Sequence, residues 1–220
     1  MIARVKHAAW TALTAVQGPW FSRRSFTFGG RAYHYFHHRI NMTWLNERTV
    51  EMPIFLALLE EAGTRRVLEV GNVTQQYRPH DHDVVDKYEQ SPGVLNVDVV
   101  DYAPGEPYDL IISISTIEHV GWDEEVKDPE KIGVALRHLA ALLRPGGRLV
   151  VSLPVGYNPE MDTRIAAQSL PFTEWAYLER TGKWTWREAT LDDVKDKAYN
   201  KPYEAANGMV IGTITAPPAG

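Results

Sequence analysis

Arg66-Val67-Leu68-Glu69-Val70-Gly71-Asn72 is the stretch whose reading decides the fold. Its apolar residues run almost without interruption, broken only by Glu69, and end on a glycine. A short apolar run bounded by a turn signal reads as a strand buried in a parallel sheet. Gly71 allows the backbone to turn sharply there and to pass close to a neighbour. In open α/β sheets, ligands collect just beyond the carboxyl ends of the strands. A small-molecule cofactor is therefore expected over Gly71.

Downstream, Val84-Val85-Asp86 reads as a second strand, 94–100 contains a third, and 108–114 is a fourth. Strands five to seven are expected at 148–153, 184–189 and 209–215. Only 12 residues separate the first two strands, Asn72 to Asp83. A full crossover helix needs about a dozen or more, so the helices between strands one to three must be shortened. A helix is expected over 49–62, capped by Thr49, with Pro53 in its first turn, a stripe of Ile54, Phe55, Leu58 and Leu59, and Gly63 as its stop. A second helix is capped by Asp128 ahead of Pro129, carries Ile132, Leu136 and Leu139 on its apolar face, and is stopped by Arg144-Pro145-Gly146-Gly147. Residues 170–181 read as a third, and 190–207 as a long charged loop.

Upstream, 22–45 is rich in aromatics and histidine and turns at Gly29-Gly30. It reads as an irregular arm suited to cover a ligand. Met1 to Trp20 has the outline of a signal peptide without a convincing cleavage site. It reads as an amphipathic segment packed on the domain or a partner, and residues 1–21 could also rest on a membrane surface. The division is thus an arm or lid, 1–45, before one domain, 46–220.

Bulk properties narrow the function. A chain of 220 residues with 44% hydrophobic and 23% charged residues suits one globular domain with a full core. A net charge of −5 gives no support for a nucleic-acid partner. With no cysteine there is no disulfide, thiolate metal site or thiol nucleophile, which fits the cytoplasm. No apolar run of about 18 residues offers a transmembrane span. A homo-oligomer is compatible with all of this.

Three motifs, in order, resemble those of the class I S-adenosylmethionine-dependent methyltransferases. They are Val67-Leu68-Glu69-Val70-Gly71, Tyr108-Asp109-Leu110-Ile111 through Glu118-His119-Val120, and Leu143-Arg144-Pro145-Gly146-Gly147-Arg148-Leu149. The resemblance implies a Rossmann-like α/β three-layer sandwich. Its sheet would be mainly parallel and seven-stranded, in order 3-2-1-4-5-7-6, with strand seven antiparallel. The cofactor implied is S-adenosyl-L-methionine. Gly71 and Asn72 would meet its amino-acid end and Glu69 would support that loop. Asp86 would hold the ribose, Asp98 would lie near the adenine and Ser113 beside the methyl donor, with Lys87, Val99 and Ser115 also in the cofactor site. One departure is plain: the family's further glycines are replaced by Asn72, Val73, Thr74 and Gln75. The same lack argues against a dinucleotide fingerprint.

Methyl transfer is an in-line displacement on an activated donor, so the protein must align the acceptor and remove a proton. His119, just past strand four, is the candidate base, with Glu118 beside it. Glu118 could also ligate Mg²⁺, although the upstream acidic position of that pattern is Ser115 and no metal site is expected. His80-Asp81-His82-Asp83 reads as a solvated turn at the opposite sheet edge rather than a metal site. For the acceptor, Trp44, Asn46, Glu47 and Arg48, then Tyr157 and Asn158, then Tyr199 and Asn200, mix aromatic rings with polar groups as a carbohydrate would require. The expectation is an O-methyltransferase acting on a small polar acceptor, such as a sugar, glycan or natural-product intermediate. The alternative is a catalytically inactive binding or scaffold domain of the same fold.

Overall fold

A computed structural model describes Phe21, residues 23–79 and residues 81–220; His80 and the amphipathic segment expected over Met1 to Trp20 lie outside the described residues. Ser25–Phe28 (β1) and Arg31–His34 (β2) form an antiparallel hairpin turning at Gly29-Gly30. The arm is therefore regular where an irregular one was expected. Alternating Phe26, Phe28, Tyr33 and Tyr35 explain this, because Phe26 stacks across the pair on Tyr33.

Arg48–Ala62 (α1) follows a 3₁₀ segment, Ile40–Leu45. The helix starts one residue before Thr49, whose hydroxyl donates to Phe36 O instead of capping. Pro53 falls in the second turn rather than the first. Having no N–H, it frees the carbonyl of Thr49, which accepts from Phe36 N at 2.9 Å. The proline thus makes the acceptor that docks the arm. Gly63 ends the helix at φ 59°.

The remaining strands are Val67–Val70 (β3), Asp83–Val85 (β4), Val94–Leu95 (β5), Tyr108–Ile114 (β6), Leu143–Pro154 (β7), Glu174–Gly182 (β8), Thr185–Ala189 (β9) and Gly208–Thr215 (β10). The further helices are Lys131–Ala141 (α2), Pro159–Ala166 (α3) and Leu191–Val194 (α4). Eight strands form one sheet in the order β5-β4-β3-β6-β7-β10-β8-β9. From β5 to β7 all pairs are parallel; β10, β8 and β9 pair antiparallel. The expected order holds for the first six strands. The correction is at 170–181, where the expected helix is β8, inserted between β10 and the expected sixth strand, β9. Leu178 pairs with Met209 and Tyr177 with Val210, so this segment covers an edge of β10 that would otherwise stay unpaired.

Two further differences are local. α2 begins at Lys131, and Asp128 accepts from Glu130 N in the turn before it. Arg144-Pro145-Gly146-Gly147 does not precede the fifth strand but lies inside β7, where Gly146 at φ 76° sits in a register shift against β6. Among its described residues, the connection from β3 to β4 holds only the 3₁₀ turn Thr74–Gln76, as the short spacing requires.

Each sheet face buries its own core. One joins Leu68, Ile111 and Leu149 to Leu136 and Leu139 of α2 and to Met161 and Ile165 of α3. The other joins Ile112, Val150 and Ile211 to Val50, Met52 and Phe55 of α1 and to Phe26, Tyr35 and Trp44 of the arm. The three layers leave the carboxyl ends of β3, β4 and β6 open on one edge.

Candidate functional site

At that edge a cavity of about 260 Å³ opens over Gly71. Val70, Val85, Val97, Val99 and Val120 give it apolar walls. Asp86, Lys87, Tyr88, Asp98, Ser115, Thr116, His119 and Glu124 give it polar ones.

Gly71 turns at φ 86°, and its N–H donates to Val85 O at 2.8 Å. A β-carbon there would stand 2.2 Å from Thr116 Oγ1, so Thr116 occupies the space that any larger residue would need. Gly71→Ala is expected to lose about 1–3 kcal/mol from backbone strain, with overpacking in addition. Binding of S-adenosylhomocysteine, the product form of the cofactor the motif resemblance implies, should weaken with it. A thermal melt and a calorimetric titration check both, and an unchanged melt would overturn the expectation.

The loop after Gly71 is held by an acid instead of by glycines. Glu69 is fully buried, and it accepts from Val73 N at 2.9 Å, from Thr74 N at 2.7 Å and from the Thr74 hydroxyl. His82 Nε2 lies 2.8 Å from its other oxygen. His82 is therefore not in a solvated turn. The shortness of the β3–β4 connection folds it back onto Glu69. Among the described residues no group of three or more His, Asp or Glu is set to hold a metal ion.

Asp86 Oδ1 accepts from Tyr88 N at 2.8 Å and from Glu89 N at 2.7 Å. Its Oδ2 has only a 3.4 Å contact from Asn72 N and keeps room for further donors. Asp98 and Glu124 face two ammonium groups. Lys131 Nζ is 2.6 and 2.7 Å from them, and Lys87 Nζ is 2.8 and 3.1 Å. Burial pushes the Asp98 carboxyl up, but the two lysines outweigh it and hold it down at about 2. The stability that a depressed carboxyl pKa contributes is fully present above the unfolded value of about 3.9 and is lost as pH falls from there through the folded value. Asp98→Asn should accordingly flatten the melting temperature between about pH 4 and pH 2, and a parallel pair of curves would refute this.

His119 stands at the mouth of the cavity. Its Nδ1 is 2.5 Å from Asp123 Oδ2, and the Tyr157 hydroxyl donates to the same oxygen at 2.6 Å. A carboxylate only accepts, so Nδ1 carries the hydrogen and Nε2 is the basic nitrogen. Burial would raise the Asp123 carboxyl, but bonds from Tyr157 and His119 outweigh that and lower it. Tyr157 meets the His119 ring edge-on at 4.8 Å, and Tyr199 meets Tyr157 edge-on at 5.3 Å.

Behind this wall lie three buried acids. Glu51 accepts from the Ser115 hydroxyl at 2.5 Å, from the Ser152 hydroxyl at 2.6 Å and from Arg48 Nη1 at 2.5 Å. Glu47 accepts from Ala206 N at 3.0 Å. Glu118 is 2% exposed, and its Oε2 has no partner. Burial raises the Glu118 carboxyl well above the ordinary carboxylate range, with Glu51 and Glu47 adding to the shift and Arg48 opposing it.

Of the residues singled out from sequence, Gly71, Asp86, Lys87, Asp98, Val99, Ser115 and His119 line the cavity. Glu47, Arg48, Glu118, Tyr157 and Tyr199 gather beside it, each within electrostatic reach of others in the group. Others lie elsewhere. Ser113 is buried and donates to Val70 O, tying β6 to β3. Trp44 stacks on His37 at 4.5 Å inside the core. Asn72 is buried and donates to Glu89. Asn46 holds the start of α1 by accepting from Arg48 N. Asn158 caps α3 and donates to Glu118 O at 2.9 Å. Asn200 closes its own loop by accepting from Ala205 N. Sequence reasoning missed Glu51, Thr116, Asp123, Glu124 and Lys131. Asp123 and Glu51 did carry signals: one follows the histidine by four residues, and the other is an acid inside a buried helical stripe.

The profile of a family described as a methyltransferase domain matches residues 35–195. No curated protein is matched in sequence. The N-methyltransferase NodS from Bradyrhizobium japonicum WM9, in complex with S-adenosyl-L-homocysteine, is 16% identical, with 74% of this chain and 84% of that chain covered and a TM-score of 0.46. TehB from Haemophilus influenzae is 10% identical over 76% of this chain and 63% of that chain, with a TM-score of 0.45. The sugar N-methyltransferase KedS8 from Streptoalloteichus sp. is 13% identical over 74% of this chain and 84% of that chain, with a TM-score of 0.39.

Proposed function

The chain belongs to the methyltransferase-domain family, and on that premise we propose that it uses S-adenosylmethionine to methylate a hydroxyl of a small polar acceptor. The donor supplies a methyl group already activated on a positively charged sulfur. The residues present suit it. Valines form an apolar slot for a flat ring, and Asp86 Oδ2 remains open to hydroxyl donors at the carboxyl end of β4. A cavity over Gly71 lined by Asp86 and Asp98 also counts against the scaffold reading.

The observation that carries the choice of hydroxyl is the His119–Asp123 contact. A neutral amine brings its own lone pair to the reaction. A hydroxyl is a poor nucleophile and needs its proton taken as it reacts. His119 Nε2 accepts that proton. Asp123 keeps the ring in the required tautomer and stabilises the imidazolium that forms. Tyr157 holds Asp123 in place. The Tyr157 and Tyr199 rings, with Glu47 and Arg48 behind them, offer a polar-aromatic wall of the kind a sugar face requires. The end of the arm at Leu45 and the 190–207 loop are tied together on this side, with Arg180 donating to Leu45 O and Glu204 O.

The test is transfer of an isotope-labelled methyl to a panel of hydroxyl and amine acceptors, with the product's labelled atom located by NMR. Label on oxygen is expected; label on nitrogen alone would overturn the reading. Asp123→Asn should lower kcat about 10²-fold at unchanged donor KM, and a kcat equal to the parent's would remove Asp123 from the scheme.

A further inference from the structure

We propose that the acceptor also carries an ammonium group, held by Glu118. This rests on the hydroxyl-acceptor reading of the same site. The observation behind it is an orphan. Glu118 is 2% exposed, its Oε2 has no hydrogen-bond partner, and its Oε1 has only His119 Nε2 at 3.7 Å. Buried polar atoms are almost always paired, so an unpaired acid is a place where something else binds. Its surroundings point to a cation. Glu47 and Glu51 are buried nearby. Arg48 is bonded to Glu51, and Arg180 is occupied by the carbonyls of Leu45, Lys183 and Glu204. No metal-ligating group of three is set up among the described residues. An ammonium brings three donors and a positive charge, which would draw the buried Glu118 carboxyl into its carboxylate form, its proton leaving to solvent.

Glu118 is not on the cavity wall itself but adjoins His119, which is. Glu118 directly precedes the base, and Asn158 Nδ2 fixes its backbone through Glu118 O. Its charge reaches Tyr157 and Tyr199, whose rings form the adjacent wall. Aromatic faces favour cations. The acceptor class is therefore an amino alcohol or amino sugar, with its hydroxyl at His119 and its ammonium at Glu118. Methylation converts the hydroxyl to an ether, its proton goes to His119, and the ammonium is unchanged.

The test compares kcat/KM across amino alcohols and amino sugars and their neutral and carboxylate counterparts, in the parent and in Glu118→Gln. The parent should favour the ammonium members at least tenfold. Glu118→Gln should lose that preference and should melt at or above the parent temperature, since it removes a buried unpaired acid. The inference is overturned by equal turnover of neutral members, by a preference that survives in Glu118→Gln, or by a lower melting temperature, which would make Glu118 a structural partner. It is also overturned if no ammonium member reacts with protein that binds S-adenosylhomocysteine. Ammonium preference in a His119→Ala variant of full activity would sink the base reading alone. His119-dependent turnover without the preference would sink this inference alone.

Discussion

His119→Ala is expected to reduce kcat about 10²- to 10⁴-fold, the contribution usual for a positioned general base. The side chain is 45% exposed, so its removal takes little from the core and the melting temperature should move by no more than a degree or two. Its ring is one wall of the cavity among many, and S-adenosylhomocysteine affinity should stay within a few-fold. The separation of these readouts is the point. A variant that loses turnover, binding and stability together would show that His119 packs rather than reacts. One that keeps full turnover would show that the proton leaves by another route.

Glu51→Ala is expected to cost about 3–5 kcal/mol, the effect of removing one partner of a buried ion pair. The alanine strands the Arg48 guanidinium and leaves the Ser115 and Ser152 hydroxyls without their shared acceptor. Against a total of about 5–15 kcal/mol for a whole domain, such a loss brings the fold near its limit. A second effect follows from Ser115, a non-glycine residue at φ 38° on the cavity wall. Glu51 clamps that turn through Ser115 Oγ, so the donor site should loosen as well. Urea unfolding with a calorimetric titration separates the two. A stability change below about 1 kcal/mol would show that the pair is dispensable. Glu51→Gln, which keeps acceptor capacity for the serines, should fall between.

The parallel half of the sheet was legible in the sequence because its strands are predominantly apolar runs, which burial on both faces explains. The antiparallel half was not. Glu174, Ala176, Leu178, Glu179 and Arg180 are good helix formers taken singly, yet the free edge of β10 recruits them as a strand. Buried Arg180 follows from that placement, because its two terminal amines reach the carbonyls of Lys183 in the following turn and of Leu45 and Glu204 farther along the chain. The donor side of the site could be read from position relative to strand ends, which is a property of the fold. The acceptor side could be read only in part: Glu118 and His119 stood out beside strand four, but Glu51 reaches Ser115 and Ser152 only through packing of a helix remote in sequence. Trp44 shows the reverse error: a tryptophan beside polar residues resembles a sugar platform, but stacking on His37 absorbs it into the core.

The clasp that Glu69 closes around Val73, Thr74 and His82 bears on the thermodynamics of donor capture. A glycine-rich loop gives up many backbone conformations when it closes on its ligand. Residues 72–76 have already given theirs up during folding, so the encounter finds the loop in place. Donor binding here should be accompanied by little loss of chain entropy, and its affinity should depend correspondingly little on temperature-driven loosening of that segment.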